Sequence, residues 1–257
     1  MSCFASDALQ GRVALITGGG TGIGKGIARL LGEHGARVFI ASRKEDVLAL
    51  ASAELTADGI DCDYSRCDIR DYADVETMVQ RVLSTFGKLD IVVNNAAGNF
   101  GATLDQLSAN AFKTVVDIDL QGTFNVTKAA FALALKEHGG SVVNISAPFE
   151  GWGVAYQAHA AAAKSGVNSL TRSCAVEWQP LGIRVNAVAP GEVQDTEGAE
   201  RLTEQLTGGQ GGSASCTATD IANAVLFLAS DAARYISGEV IRVDRASGVD
   251  FLKMPVH

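Results

Sequence analysis

Residues 13–27 read Val-Ala-Leu-Ile-Thr-Gly-Gly-Gly-Thr-Gly-Ile-Gly-Lys-Gly-Ile, and their order decides the fold. Val13-Ala14-Leu15-Ile16 is a short continuous apolar run, the pattern of a strand buried on both faces. Glycine then occupies positions 18, 19, 20, 22, 24 and 26, after which Ile27, Leu30 and Leu31 recur at helical spacing. Glycine at that density between a strand and a helix predicts a tight turn with positive φ angles and uncovered backbone N–H groups. The positive end of the helix dipole adds to those donors, so the turn is suited to a phosphate. The plain alternative is a glycine-rich connection with no ligand.

Two nucleotide-binding arrangements compete for the stretch. Gly19-x-x-x-x-Gly24-Lys25 fits a P-loop until its last position, where Gly26 replaces the Ser or Thr that would hold magnesium. The dinucleotide arrangement needs a βαβ unit. Leu30-Leu31-Gly32 and His34-Gly35 close the helix, and Arg37-Val38-Phe39-Ile40-Ala41 supplies the second strand. The spacing is Gly18-x-x-x-Gly22-x-Gly24, which differs from the usual Gly-x-Gly-x-x-Gly.

Composition narrows the class. The 257 residues are 47% hydrophobic with a formal net charge of -8, and no linker, repeat or low-complexity run divides them. A single α/β domain is expected over 1–257. The acidic balance argues against nucleic-acid binding, and no apolar run reaches membrane-spanning length. The N-terminal segment lacks the layout of a signal peptide. Cys3, Cys62, Cys67, Cys174 and Cys216 are scattered and complete no metal site, so reduced thiols in the cytoplasm are the expectation.

After the second strand stand Ser42, Arg43 and Lys44, with no acid before Glu45. A carboxylate here favours NAD through the ribose 2′-OH, whereas a cation accommodates the 2′-phosphate of NADP. The residues present favour NADPH over NADH. Further on, helices are expected over Glu45–Leu55 and Tyr72–Phe86, and strands over Ile60–Cys67 and Leu89–Val93. A last helix, Ile221–Ala229, is capped by Thr219-Asp220, and the final strand lies within 235–244.

With Thr17 ahead of the glycines, this pattern resembles the short-chain dehydrogenase/reductase family. Asn95-Ala96-Ala97-Gly98-Asn99-Phe100 is similar to the 2,4-dienoyl-CoA reductase branch, particularly its peroxisomal type. The likeness continues through Asn110–Asp119, Gly122–Val126, Gln157–Ala160, Ala175–Trp178 and Ala189–Gly191. It implies a doubly wound Rossmann fold, a mostly parallel seven-stranded sheet with helices on both faces. It also implies a small-molecule substrate and a homotetramer built on the helices carrying Asp119 and Lys164, with the last strand at a second interface. The family's cofactor contacts carry over to Thr17, Gly18, Gly20, Thr21, Gly22, Ile23, Gly24, Ser42, Arg43, Asp68, Ile69, Asn95, Ala96, Lys164, Pro190, Gly191 and Val193. Asn99, Phe100 and Ser146 are expected at the substrate, and Tyr156, in the loop that usually borders it, either lines that pocket or packs.

The catalytic positions depart from the family's usual set. A Tyr-x-x-x-Lys pair on one helix face normally handles the proton, the ammonium lowering the phenol's pKa. The lysine matches Lys164, but Ala160 stands four residues earlier. The family's asparagine is replaced by Asp119, and its serine by Ala147. Tyr156, eight positions before Lys164, points about 80° away on an ideal helix. Peroxisomal-type dienoyl-CoA reductases resemble this chain in keeping Asp and Lys at these places. The resemblance implies that a water between Asp119 and Lys164 protonates the substrate while Asn99 donates to its carbonyl. The alternative is a structural ion pair.

Glu150 and Glu192 fall near a site expecting an anionic ester, and solvated loop carboxylates are the alternative. His159 is read as packing or capping. Residues 191–215 are read as a mobile substrate lid, and Met254-Pro255-Val256-His257 carries no peroxisomal address. Three functions therefore stand. One is an NADPH-dependent reductase of a conjugated C=C bond, most literally of 2,4-dienoyl-CoA. The others are a biosynthetic reductase of a non-CoA substrate and a non-catalytic NADP(H)-binding sensor or assembly protein.

Overall fold

The computed structural model describes residues 4–149, 153–194 and 216–246. Seven parallel strands form one sheet: β1 (Val13–Thr17), β2 (Arg37–Ser42), β3 (Cys62–Arg66), β4 (Ile91–Asn94), β5 (Gly140–Ile145), β6 (Ile183–Pro190) and β7 (Val240–Val243). Their spatial order is β3-β2-β1-β4-β5-β6-β7, and every pairing is parallel. The chain leaves β1 toward β2 on one side and reaches β4 on the other. That reversal opens a crevice at the carboxyl ends of β1 and β4, where doubly wound sheets bind ligands.

Alternation along the buried strands separates two cores. Ala14, Ile16, Val38, Ile40 and Val93 pack beneath α1 (Gly22–Glu33), α2 (Glu45–Ala57) and α6 (Ala218–Ala229). Val13, Leu15, Phe39, Val92 and Val142 face the opposite layer. That layer contains α3 (Tyr72–Phe86), α4 (residues 109–138) and α5 (Ala158–Trp178). Phe131 of α4 stacks on Trp178 of α5 with ring centroids 4.3 Å apart.

Helix α4 is interrupted by two π-helical turns, Asp117–Gln121 and Phe131–Leu135. Such turns insert an extra residue into the helical repeat and often accompany functional sites. Asp119 lies inside the first, and the Thr123 hydroxyl donates to its carbonyl at 2.7 Å.

Several boundaries differ from the sequence expectation. The last helix starts at Ala218 with Thr217 as its cap, because Thr217 and Asp220 form a reciprocal capping box. Helix α2 extends to Ala57, beyond the expected Leu55, while β3 and β7 are shorter than the segments read for them. The sheet is parallel throughout rather than mostly so. Glu150, most of the expected lid (195–215) and the C-terminal residues from 247 lie outside the described residues. Within 191–194, Val193 bridges Cys216 and its side chain is buried in the core.

Candidate active site

The crevice at the β1–β4 reversal opens into a cavity of about 450 Å³. The glycine turn from Gly18 through Gly24 forms its floor, with Asn95 and Ala96 beside it. Ser42, Arg43 and Lys44 stand at one end with Asp68 and Ile69, and Arg43 and Lys44 are exposed. Gly24 makes this floor possible. A Cβ there would stand 2.5 Å from Asn95 Nδ2 and closer still to the Gly18 carbonyl oxygen. The small-residue cradle and the cations at one end of the cavity fit a dinucleotide cofactor.

Thr17 is buried below this floor and contributes through hydrogen bonding. Its hydroxyl accepts from the backbone N–H groups of Asn95 and Ala96, each at 3.1 Å. Asn95 Nδ2 donates to the carbonyls of Thr17 and Gly18 at 3.0 and 3.3 Å. The ends of β1 and β4 are thus fastened where the cradle starts.

At the far end, Arg70 forks onto Asp68, with Nε 2.9 Å from Oδ1. That hydrogen bond is the main reason the Asp68 carboxyl is held below its ordinary range, and the nearby Arg43 charge acts the same way. The segment is tied to α4 because Asn125 Nδ2 donates to the Ile69 carbonyl at 2.9 Å. The only sequence signal for this pairing is the two-residue separation of Arg70 from Asp68.

Asp119 and Lys164 meet beside this crevice. Lys164 Nζ is 3.3 Å from Asp119 Oδ2, with side-chain exposures of 10% and 1%. The ammonium also donates to the Ile145 carbonyl at 2.9 Å, and Asp119 Oδ1 accepts from the Gly98 N–H at 2.7 Å. Close approach of the two helices depends on Gly166. A Cβ there would fall 2.7 Å from Leu120 Cδ2. Ala160 is buried in the same helix, and no phenol occupies its place.

The remaining expected substrate residues separate. Asn99 Nδ2 donates to Gln157 Oε1 at 2.9 Å, and Phe100 packs on His159. Ser146 is buried, its hydroxyl 3.4 Å from the Lys164 carbonyl. Tyr156 lies just outside α5, is 48% exposed and has φ of 64°. Its carbonyl accepts from the Ala102 N–H at 2.9 Å, so its backbone joins the loop after β4 to the start of α5. Pro190 ends β6, and the Gly191 N–H donates to the Val243 carbonyl at 2.9 Å. These residues and Val193 are outside the cavity lining.

A buried polar ladder supports the pair from below. Asn94 Nδ2 donates to Thr127 Oγ1 and Asn144 Oδ1, and Asn144 Nδ2 donates to Thr171 Oγ1, each at 2.8 Å. It joins β4, α4, β5 and α5, the elements that set the spacing of Asp119 and Lys164. Its asparagines and threonines gave no distinctive sequence signal.

Fold and cradle together define a dinucleotide-binding α/β protein with an acid–amine pair beside its crevice. The profile described as Enoyl-(Acyl carrier protein) reductase matches residues 18–246. The chain belongs to the short-chain dehydrogenase/reductase family and is an oxidoreductase. It is 44% identical to a peroxisomal 2,4-dienoyl-CoA reductase of Danio rerio, over 94% of this chain and 83% of that one. Identity to the Arabidopsis thaliana protein of the same description is 40%, over 100% and 90% of the two chains. A citronellol catabolism dehydrogenase of Pseudomonas aeruginosa PAO1 superimposes with a TM-score of 0.85 at 36% identity, covering 96% of this chain and 99% of that one.

Proposed function

We propose that the protein uses NADPH to reduce the conjugated C=C system of a 2,4-dienoyl-CoA thioester. The observation that carries this reading is the buried Asp119–Lys164 pair between α4 and α5, with Ala160 at the usual tyrosine position in the helix that carries Lys164. The descriptions of the Danio and Arabidopsis relatives support the substrate class. Arg43 and Lys44 support NADPH over NADH, since two cations and no free acid face the expected 2′-phosphate position.

When bound, NADPH supplies the hydride. Asn99 donates a hydrogen bond to the thioester carbonyl, where negative charge develops. Asp119 and Lys164 hold a water that transfers a proton to the acyl chain, and the ammonium stabilises the hydroxide left behind. Lys164 has three N–H donors; those to Ile145 and Asp119 leave one for this task.

Homotetramer formation through α4 and α5 is part of the reading. Phe112, Phe124 and Val176 on these helices are exposed by 37%, 40% and 78%, and a partner would cover them. A cytoplasmic setting is also proposed, supported by four free cysteines among the described residues. None of the described helices is long and apolar enough to cross a membrane.

The experiment is to follow NADPH absorbance with a panel of 2,4-dienoyl thioesters, simple enones and ketones. Turnover concentrated on the dienoyl thioesters is expected. Preferential ketone reduction would favour the biosynthetic alternative. NADPH binding without consumption would favour the sensor.

A further inference from the structure

His159 is fully buried in the first turn of α5, yet among the described residues neither ring nitrogen has a hydrogen-bond partner. Its ring meets Phe100 edge-on, with centroids 4.4 Å apart and planes at 77°. Burial lowers its pKa, opposed by the Gln157 backbone and the Asp119 charge. A neutral imidazole has one donor and one acceptor, and burying both unpaired is unfavourable where a phenyl ring would pack without that penalty.

Its neighbours give the polarity a use. Gly98 is tied to Asp119, Asn99 to Gln157 and Phe100 to His159. Three consecutive residues of the loop after β4 are thereby registered against the proton-handling pair and the start of α5. In this series His159 is the member with both polar side-chain atoms unpaired among the described residues.

We propose that His159 is a specificity-determining residue of the acceptor site. One of its ring nitrogens pairs with a polar atom of the bound thioester, while its edge contact holds Phe100 and Asn99 against that ligand. The inference rests on the proposed dienoyl thioester reductase activity. It assigns the histidine to recognition of the acyl ligand, separate from proton transfer by Asp119 and Lys164.

The test uses full-length protein with ¹⁵N-labelled histidine. The His159 signal is assigned by its contact with the Phe100 ring and its absence from His159→Asn. Addition of NADP⁺ alone is expected to leave it in place, and a dienoyl thioester added to the NADP⁺ form is expected to move it. In parallel, His159→Phe is expected to lower kcat/KM for the thioester by about tenfold with NADPH affinity retained, and His159→Asn to recover part of the loss. An unmoved signal, or full activity in His159→Phe, overturns the inference. A wild type inactive on every dienoyl thioester overturns the functional reading and this inference together, whereas an active wild type with an unmoved signal overturns this inference alone.

Discussion

Lys164 Nζ stands 3.3 Å from Asp119 Oδ2, and each partner has a second anchor, the Ile145 carbonyl for the amine and the Gly98 N–H for the acid. A buried ion pair adds little net stability because desolvation offsets the attraction. A purely structural pair would therefore be replaceable by apolar residues of similar volume. Removing one partner is different, since it leaves an uncompensated buried charge.

That contrast separates the catalytic role from a structural ion pair. Asp119→Asn and Lys164→Met are each expected to lose about 3–5 kcal/mol of stability. The double variant Asp119→Leu/Lys164→Met is expected to recover most of that loss in a denaturant titration. Turnover should fall by about 10²–10⁴ in Asp119→Asn and stay low in the double variant. Recovery of turnover alongside stability would reduce the pair to a structural role.

Cofactor preference is expected to depend on Arg43 and Lys44. Arg43→Ala/Lys44→Ala should raise KM for NADPH by about 10–100-fold, the range for losing charge-assisted hydrogen bonds to a phosphate. KM for NADH should change little. Equal effects on both cofactors would show that these cations do not read the 2′-phosphate.

The cradle and the sheet were legible because glycine, apolar runs and helix stops act locally. The stretch 13–27 required a strand, a close-approach turn and a helix in that order, and β1 and α1 follow it. Lys164 and Asp119 were identifiable from the motifs around them. The π-helical turn that contains Asp119 was not legible, since no local propensity distinguishes Asp117–Gln121 from ordinary helix. The Asn99–Gln157 and Asn94–Asn144–Thr171 bonds were also hidden, because they join residues distant in sequence. Sequence position alone gives His159 a packing or capping role. It packs, but its unpaired nitrogens emerge only once burial is known.

The thiols should resist modification in the folded protein. Burial pushes Cys67 up to about 12 and Cys174 up to about 11, so little of either is thiolate at neutral pH. Iodoacetamide labelling followed by mass spectrometry should mark Cys67 and Cys174 only after denaturation. Rapid labelling of either in native protein would contradict their burial.

Acid stability provides the last prediction. Burial holds the His159 pKa in the folded chain below the ordinary value of 6.5. As pH falls below about 6.5, the unfolded chain takes up a proton that the folded chain still refuses. The unfolded state then binds more protons, so folding stability declines with falling pH until the folded imidazole also protonates. Asp68 acts at lower pH. Its carboxyl is held below the ordinary 3.8, so its contribution is present above that value and lost as pH falls through the folded pKa. His159→Phe should therefore flatten the stability profile just below pH 6.5 and leave the lower limb unchanged. Urea titrations between pH 7 and 5 would measure the difference, and identical slopes in the two proteins would rule out a depressed His159 pKa.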